Sequence, residues 1–92
     1  RLPLILTNAK TYQTAIGKAA VELAKIHEKV AQETGITFAL AVQTADIFRV
    51  SSAVNIPIFA QHLDAVSYGS HTGWNLPEAI KEAGATGVIL NH

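Results

Sequence analysis

The sequence has no cysteine, no methionine, only three prolines and no excess of either charge. Without cysteine there is neither a disulfide framework nor thiolate chemistry, which fits a reducing compartment, so the cytoplasm is the expected location. Seven lysines and arginines balance seven aspartates and glutamates, and no basic stripe is present to neutralise a row of phosphates. Nucleic acid is therefore not an expected partner. No apolar run approaches the roughly 20 residues of a bilayer-spanning helix, and Leu2 to Leu6 is too short for a signal segment, so no membrane contact is expected. A chain that starts at Arg1 and contains no methionine reads as a segment excised from something longer.

What is present is apolar. Hydrophobic residues make up 49% of the 92 residues and mean hydropathy is +0.24, high for a chain whose size leaves much of its surface exposed. Four short runs, "LPLILTN", "TFALAVQ", "IPIFAQH" and "TGVILNH", are nearly continuous in apolar residues. Such runs predict strands of a parallel sheet covered on both faces. Between Thr14 and Thr34, Ile16, Ala20, Leu23, His27, Val30 and Ala31 recur at helical spacing opposite Lys18, Glu22, Lys25, Lys29 and Glu33, which predicts an amphipathic helix closed by Gly35. "TADIFRVSSAV" predicts a shorter second helix. Asn75 three residues before Glu78, with Pro77 in the first turn and Gly84 as the stop, predicts a third over Leu76 to Ala83.

The order is thus βαβαβαβ, an α/β fold. Right-handed crossovers place four parallel strands in one sheet with all three helices on the same face. The other face is then bare of cover, as it would be if it lined a closed barrel. "HLDAVSYGSHTGW" is the longest irregular stretch, and a loop of that length points to function or to an interface.

Each predicted strand ends at its carboxyl side in amides or bases: Asn8 and Lys10, then Gln43, then Gln61 and His62, then Asn91 and His92. In parallel α/β folds ligands sit outside the carboxyl ends of the strands, so these groups are expected on one rim. Strands also end in polar residues because the chain reaches solvent there, and a lone lysine after a strand is ordinarily a solvated loop residue. His62, Asp64 and His71 carry metal-ligating groups, but not at zinc-motif spacing, and no metal is expected. His27, on an apolar helix face, is expected to be packed and hydrogen-bonded. "GKAA" and "GATG" lack the lysine and spacing of a phosphate-binding loop.

Taken in order, "LTNAKTY", "AVQ", "FAQH", "GSHTG" and "LPEAIKEAGATGVILNH" resemble the triosephosphate isomerase family, most closely its archaeal form. The resemblance covers essentially the whole chain and aligns it with the amino-terminal half of that enzyme. It implies half of a TIM (β/α)8 barrel, a single unit over residues 1–92 that is a fragment of a larger barrel. It further implies that Asn8 and Lys10 bind substrate, that Lys10 and His92 are catalytic, that triose phosphate is the substrate and that no cofactor takes part. Tyr68, His71, Thr72 and Trp74 would lie on a loop that enters a neighbouring subunit, in a homo-oligomer or a complex with the missing half-barrel.

Two departures stand out. Ala9 replaces a large aromatic residue between the family's asparagine and lysine, and Trp74 replaces a polar one. The family's glutamate base, mobile lid and phosphate-gripping glycines have no counterpart here, and Glu78, Glu82 and Asp64 fall elsewhere in the pattern. The isolated chain is therefore expected to be inactive. The competing expectations are a self-associating half-barrel without catalysis and a flavodoxin-like domain with helices on both sheet faces.

Overall fold

A computed structural model of the chain describes residues 4–89. Four strands, β1 (Leu4–Asn8), β2 (Thr37–Val42), β3 (Ile58–Ala60) and β4 (Gly87–Val88), alternate with three α-helices, α1 (Lys18–Thr34), α2 (Ile47–Ala53) and α3 (Pro77–Ala83). All neighbouring strands pair in parallel, in the order β1-β2-β3-β4. The order follows the sequence without the reversal that a flavodoxin-like sheet requires.

Alternation along the strands sorts the side chains onto two faces. Leu40, Val42, Ile58 and Ala60 point to the helices and pack with Ala20 and Ala24 of α1, Ile47 and Val50 of α2 and Ile80 of α3. This is the buried core. On the opposite face the register sets Leu6 beside Ala39, and lines up Asn8, Ala41, Phe59 and Gly87 in one row across the sheet. Small and large residues alternate along that row for a steric reason. A Cβ on Gly87 would lie 2.6 Å from the Phe59 ring, so the ring occupies the space that glycine leaves open.

β1 forms one free edge, and Leu4, Ile5 and Leu6 remain 55%, 44% and 40% exposed. Full burial of such a side chain is worth roughly 1.5 to 3 kcal/mol, so covering these three half-exposed residues would contribute about 2 to 4 kcal/mol to association.

Helix α1 ends as its sequence predicts: Gly35 adopts φ 75° and its N–H donates to the Ala31 carbonyl at 2.9 Å. Its start differs from the expected Thr14. Gln13–Ala15 forms a 3-10 turn, Ile16 is extended and 43% exposed, and the helix begins at Lys18. The buried Asp46 carboxylate accepts the Gly17 N–H at 3.0 Å, which anchors the helix start to the turn before α2. Helix α3 starts one residue later than expected. Pro77 is its first residue, and because a residue preceding proline is pushed to extended geometry, Leu76 (ψ 124°) is the cap. Asn75 caps nothing; its side chain donates to Thr44 Oγ1 at 3.0 Å and to the His62 carbonyl at 3.3 Å.

His27 is packed as expected. Its Nδ1 lies 2.8 Å from the Leu23 carbonyl, which can only accept, so Nδ1 donates there, and Nε2 lies 2.9 Å from Thr7 Oγ1. The same ring meets Phe38 edge-on, with centroids 5.9 Å apart.

Candidate active site

The carboxyl edge of the sheet carries a network of amides built around one backbone turn. Lys10, directly after β1, takes φ 55°, the one non-glycine residue with positive φ among the described residues. A side chain in this left-handed conformation costs about 1 to 2 kcal/mol, so the turn needs support. The Lys10 N–H donates to Asn8 Oδ1 at 2.9 Å. The Lys10 carbonyl accepts from Gln61 Nε2 at 2.9 Å and, more weakly, from Gln43 Nε2 at 3.4 Å. At about 0.5 to 1.5 kcal/mol net for each good hydrogen bond, these contacts offset the strain.

The amides also orient one another. Gln43 Nε2 donates to Gln61 Oε1 at 3.2 Å, and Gln61 Nε2 reaches Asn8 Oδ1 at 3.3 Å and the Ala41 carbonyl at 3.4 Å. Asn8 Oδ1 is thereby committed as an acceptor, which frees its Nδ2 to donate to a ligand oxygen. Lys10 is exposed at the same rim. A donor amide next to an ammonium suits an anion or a polarised carbonyl oxygen. Ala9, between them, is buried in the helix-side core and donates its N–H to the Ala41 carbonyl at 2.9 Å. The clamp on Lys10 comes from the rim amides instead of from the residue at position 9.

The sequence reading put Asn8, Lys10, Gln43, Gln61, His62, Asn91 and His92 together at this rim, and of the five that are described the first four meet. His62 does not. Its Nε2 lies 2.7 Å from Asp64 Oδ1, while Asp64 Oδ2 accepts the Asn75 N–H at 2.7 Å and the Asp64 N–H donates to the Asn75 carbonyl at 3.0 Å. Asp64 thus closes the base of the loop over residues 65–74. Asn91 and His92 lie outside the described residues.

On that loop Tyr68 and Trp74 are 74% and 57% exposed, Thr72 is exposed, and the His71 ring packs against Trp74 with centroids 5.9 Å apart. His71 is therefore engaged with an aromatic neighbour, and His62 and Asp64 with each other.

The bond from Asn75, then that from His62, holds the Asp64 carboxyl below its ordinary value of 3.8. A depressed carboxyl pKa stabilises the fold above that ordinary value, and the contribution is lost as pH falls through the lower folded-state value. The Asn75 amide should accordingly be protected from hydrogen exchange at neutral pH and lose protection in acid below pH about 4. In Asp64→Ala it should exchange fast at every pH; unchanged protection at pH 7 would show that the loop is closed by something else.

A second cleft opens at the opposite, amino-terminal edge of the sheet, lined among others by Glu28, Gln32, Gly35, Thr37, Asn55 and Pro57. Among the described residues its lining includes no lysine or arginine, and Glu28 is occupied with the Asn55 N–H at 2.6 Å. The amides and the Lys10 side chain lie at the opposite, carboxyl edge, which is where ligands sit in parallel barrels.

The triosephosphate isomerase family model matches residues 3–92. The chain belongs to the triosephosphate isomerase family. The enzyme of Methanobacterium bryantii is 49% identical over 90 residues, which cover 98% of this chain and 40% of that one. That of Metallosphaera sedula is 50% identical over 92 residues, all of this chain and 40% of its own. The crystal structure of triosephosphate isomerase from Bartonella henselae superposes with a TM-score of 0.80 at 26% identity, covering 100% of this chain and 38% of that one. The chain therefore spans about two fifths of the length of the triosephosphate isomerases it matches, and its four parallel strands are the amino-terminal portion of their barrel.

Gln43 and Gln61 were legible as strand-end amides, but nothing in the sequence marked them as supports of Lys10. Their reach to its carbonyl spans 33 and 51 residues.

Proposed function

We propose that residues 1–92 supply the amino-terminal half of the active site of an isomerase that interconverts dihydroxyacetone phosphate and glyceraldehyde 3-phosphate. The observation that carries this reading is the clamped Lys10 turn beside Asn8, at the carboxyl edge of the sheet and at the family's motif positions. Asn8 Nδ2 and the Lys10 ammonium bind the substrate. As a base removes the proton next to the carbonyl, negative charge grows on the carbonyl oxygen, and a fixed ammonium stabilises that enediolate more than the ground state. His92, by family likeness, donates to the substrate oxygens as they exchange roles. The proton returns to the neighbouring carbon, so no redox cofactor takes part.

The base, lid and phosphate loops belong to the remainder of the barrel. Without the base the proton transfer loses about 10²- to 10⁴-fold, so residues 1–92 alone are inactive. They form one half-barrel unit that works in the cytoplasm. Their bare sheet face is covered by the complementary half, and the loop over residues 65–74, with Tyr68, His71, Thr72 and Trp74, docks on a neighbouring subunit of a homo-oligomer. Among the described residues, no helix is long and apolar enough to cross a membrane.

A second reading is favoured by the exposure of Leu4 and Leu6 on the bare face: a half-barrel that associates with its own copies and catalyses nothing. Mixing residues 1–92 with the carboxyl-terminal remainder of the Methanobacterium bryantii enzyme separates the two. Isomerase activity that requires both pieces supports the first reading. A homo-oligomer of residues 1–92 that excludes the added piece and shows no activity supports the second, and a stoichiometric complex without activity counts against both.

A further inference from the structure

The Gln43 side-chain amide donates twice. One bond goes to Gln61 Oε1 at 3.2 Å and the other to the Lys10 carbonyl at 3.4 Å. Gln61 Nε2 approaches the same carbonyl at 2.9 Å. A carbonyl oxygen has two lone pairs, so the two glutamines can occupy both.

This bears on how Lys10 keeps a left-handed backbone. Leaving φ 55° means turning about the Lys10 N–Cα bond, and because Asn8 Oδ1 holds the Lys10 N–H at 2.9 Å, that rotation would carry the Lys10 carbonyl and side chain round together. Two donors converging on that oxygen from neighbouring strands oppose the rotation. Gln61 alone is a weaker restraint, because its two amide protons face three acceptors: the Lys10 carbonyl, Asn8 Oδ1 and the Ala41 carbonyl. Gln43 holds the Oε1 end of that amide, so the Nε2 end stays aimed at the turn. Gln43 is only half-buried and sits just beyond β2, so it is not placed there to fill the core.

We infer that Gln43 is a positioning residue for Lys10, acting through the Gln61 amide and the Lys10 carbonyl to hold the ammonium in register with the substrate. The inference rests on the proposed isomerase function and adds to it a residue on a strand that has no substrate contact of its own assigned.

Its test uses the isomerase assembled from residues 1–92 and the remainder of the barrel, with Gln43→Met, which keeps the length of the side chain and removes both donors. Small misplacements of a catalytic group cost up to about a hundredfold, and here kcat is expected to fall at least about tenfold while KM for dihydroxyacetone phosphate changes less than kcat. The strong amide-to-Hα cross-peak that a left-handed Lys10 gives in NMR spectra should weaken in parallel. A merely structural role would lower the amount of folded protein and leave both readouts per folded molecule unchanged. Gln43→Met with unaltered kcat and an unaltered Lys10 cross-peak overturns the inference, while inactivity of Lys10→Met in the same assembly leaves the functional reading intact. Full activity of Lys10→Met would overturn both.

Discussion

Lys10→Gly is expected to stabilise the chain slightly while abolishing most of its contribution to catalysis. Glycine adopts φ 55° freely, so the substitution removes about 1 to 2 kcal/mol of backbone strain. It also adds about 0.5 to 1 kcal/mol of conformational entropy to the unfolded chain. Lys10 is exposed, so little packing is lost with its side chain. The net gain is therefore roughly 0 to 1.5 kcal/mol, readable as an unchanged or raised urea midpoint. In the assembled isomerase the same change removes a fixed charge at the developing oxyanion, and kcat/KM should fall about 10²- to 10³-fold. A variant that lost stability and kept activity would reverse both halves of this account. Strain at a functional position, offset by hydrogen bonds from neighbouring strands, is the pattern expected where a side chain is held for chemistry.

The largest structural effect is expected at Gly84→Ala. Gly84 ends α3 at φ 122°, and a Cβ there would sit 2.1 Å from Ser51 Oγ and 2.7 Å from Ser51 Cβ on α2. Ser51 Oγ in turn donates to the Ala83 carbonyl at 3.0 Å, so the clash would break the bond that ties the two helices. Overpacking of this kind costs about 1 to 3 kcal/mol, and the strained φ about as much again. Against a total stability of about 5 to 14 kcal/mol for a domain this size, such a loss leaves a substantial unfolded fraction or a sharply lowered urea midpoint. Ser51→Gly removes both clashing atoms, so the double variant should recover the packing share and not the backbone share. Loss below about 1 kcal/mol in the single variant would mean that α2 and α3 do not meet as described.

Much of this fold was legible because its signals are local. Gly35 ended α1 as its position foretold, and the apolar runs gave four parallel strands in sequential order. Where the reading failed, a distant partner had intervened. Ile16 fits the helical period four residues before Ala20, yet Asp46, 29 residues from Gly17, holds the helix start at Lys18. Asn75 has the spacing of a cap, but Thr44 and Asp64 bind its side chain and its N–H. Pro77 could have corrected that reading, since proline in the first helical position makes the preceding residue the cap. His62 follows β3 next to Gln61, and only the fold reveals that its ring pairs with Asp64 instead of joining the amides.

Of the candidate site, Asn8 and Lys10 stood out in the sequence by their likeness to the family's motif, while the amides that support the Lys10 turn did not. Alternation places Asn8 and Ala41 in one row, and the pairing of β2 with β3 brings Gln43 and Gln61 to the same edge. The left-handed turn that these amides hold leaves no mark in composition or periodicity.

The most direct test of the rim as the substrate site is an NMR titration of the assembled isomerase with 2-phosphoglycolate, whose carboxylate and phosphate imitate the enediolate phosphate. Shifts should concentrate at the Asn8 and Gln61 side-chain amides and at the Lys10 backbone, and be absent from Gly35 and Asn55. Perturbation centred on Gly35 and Asn55, at the amino-terminal edge of the sheet, with the Asn8, Lys10 and Gln61 signals unmoved, would contradict it.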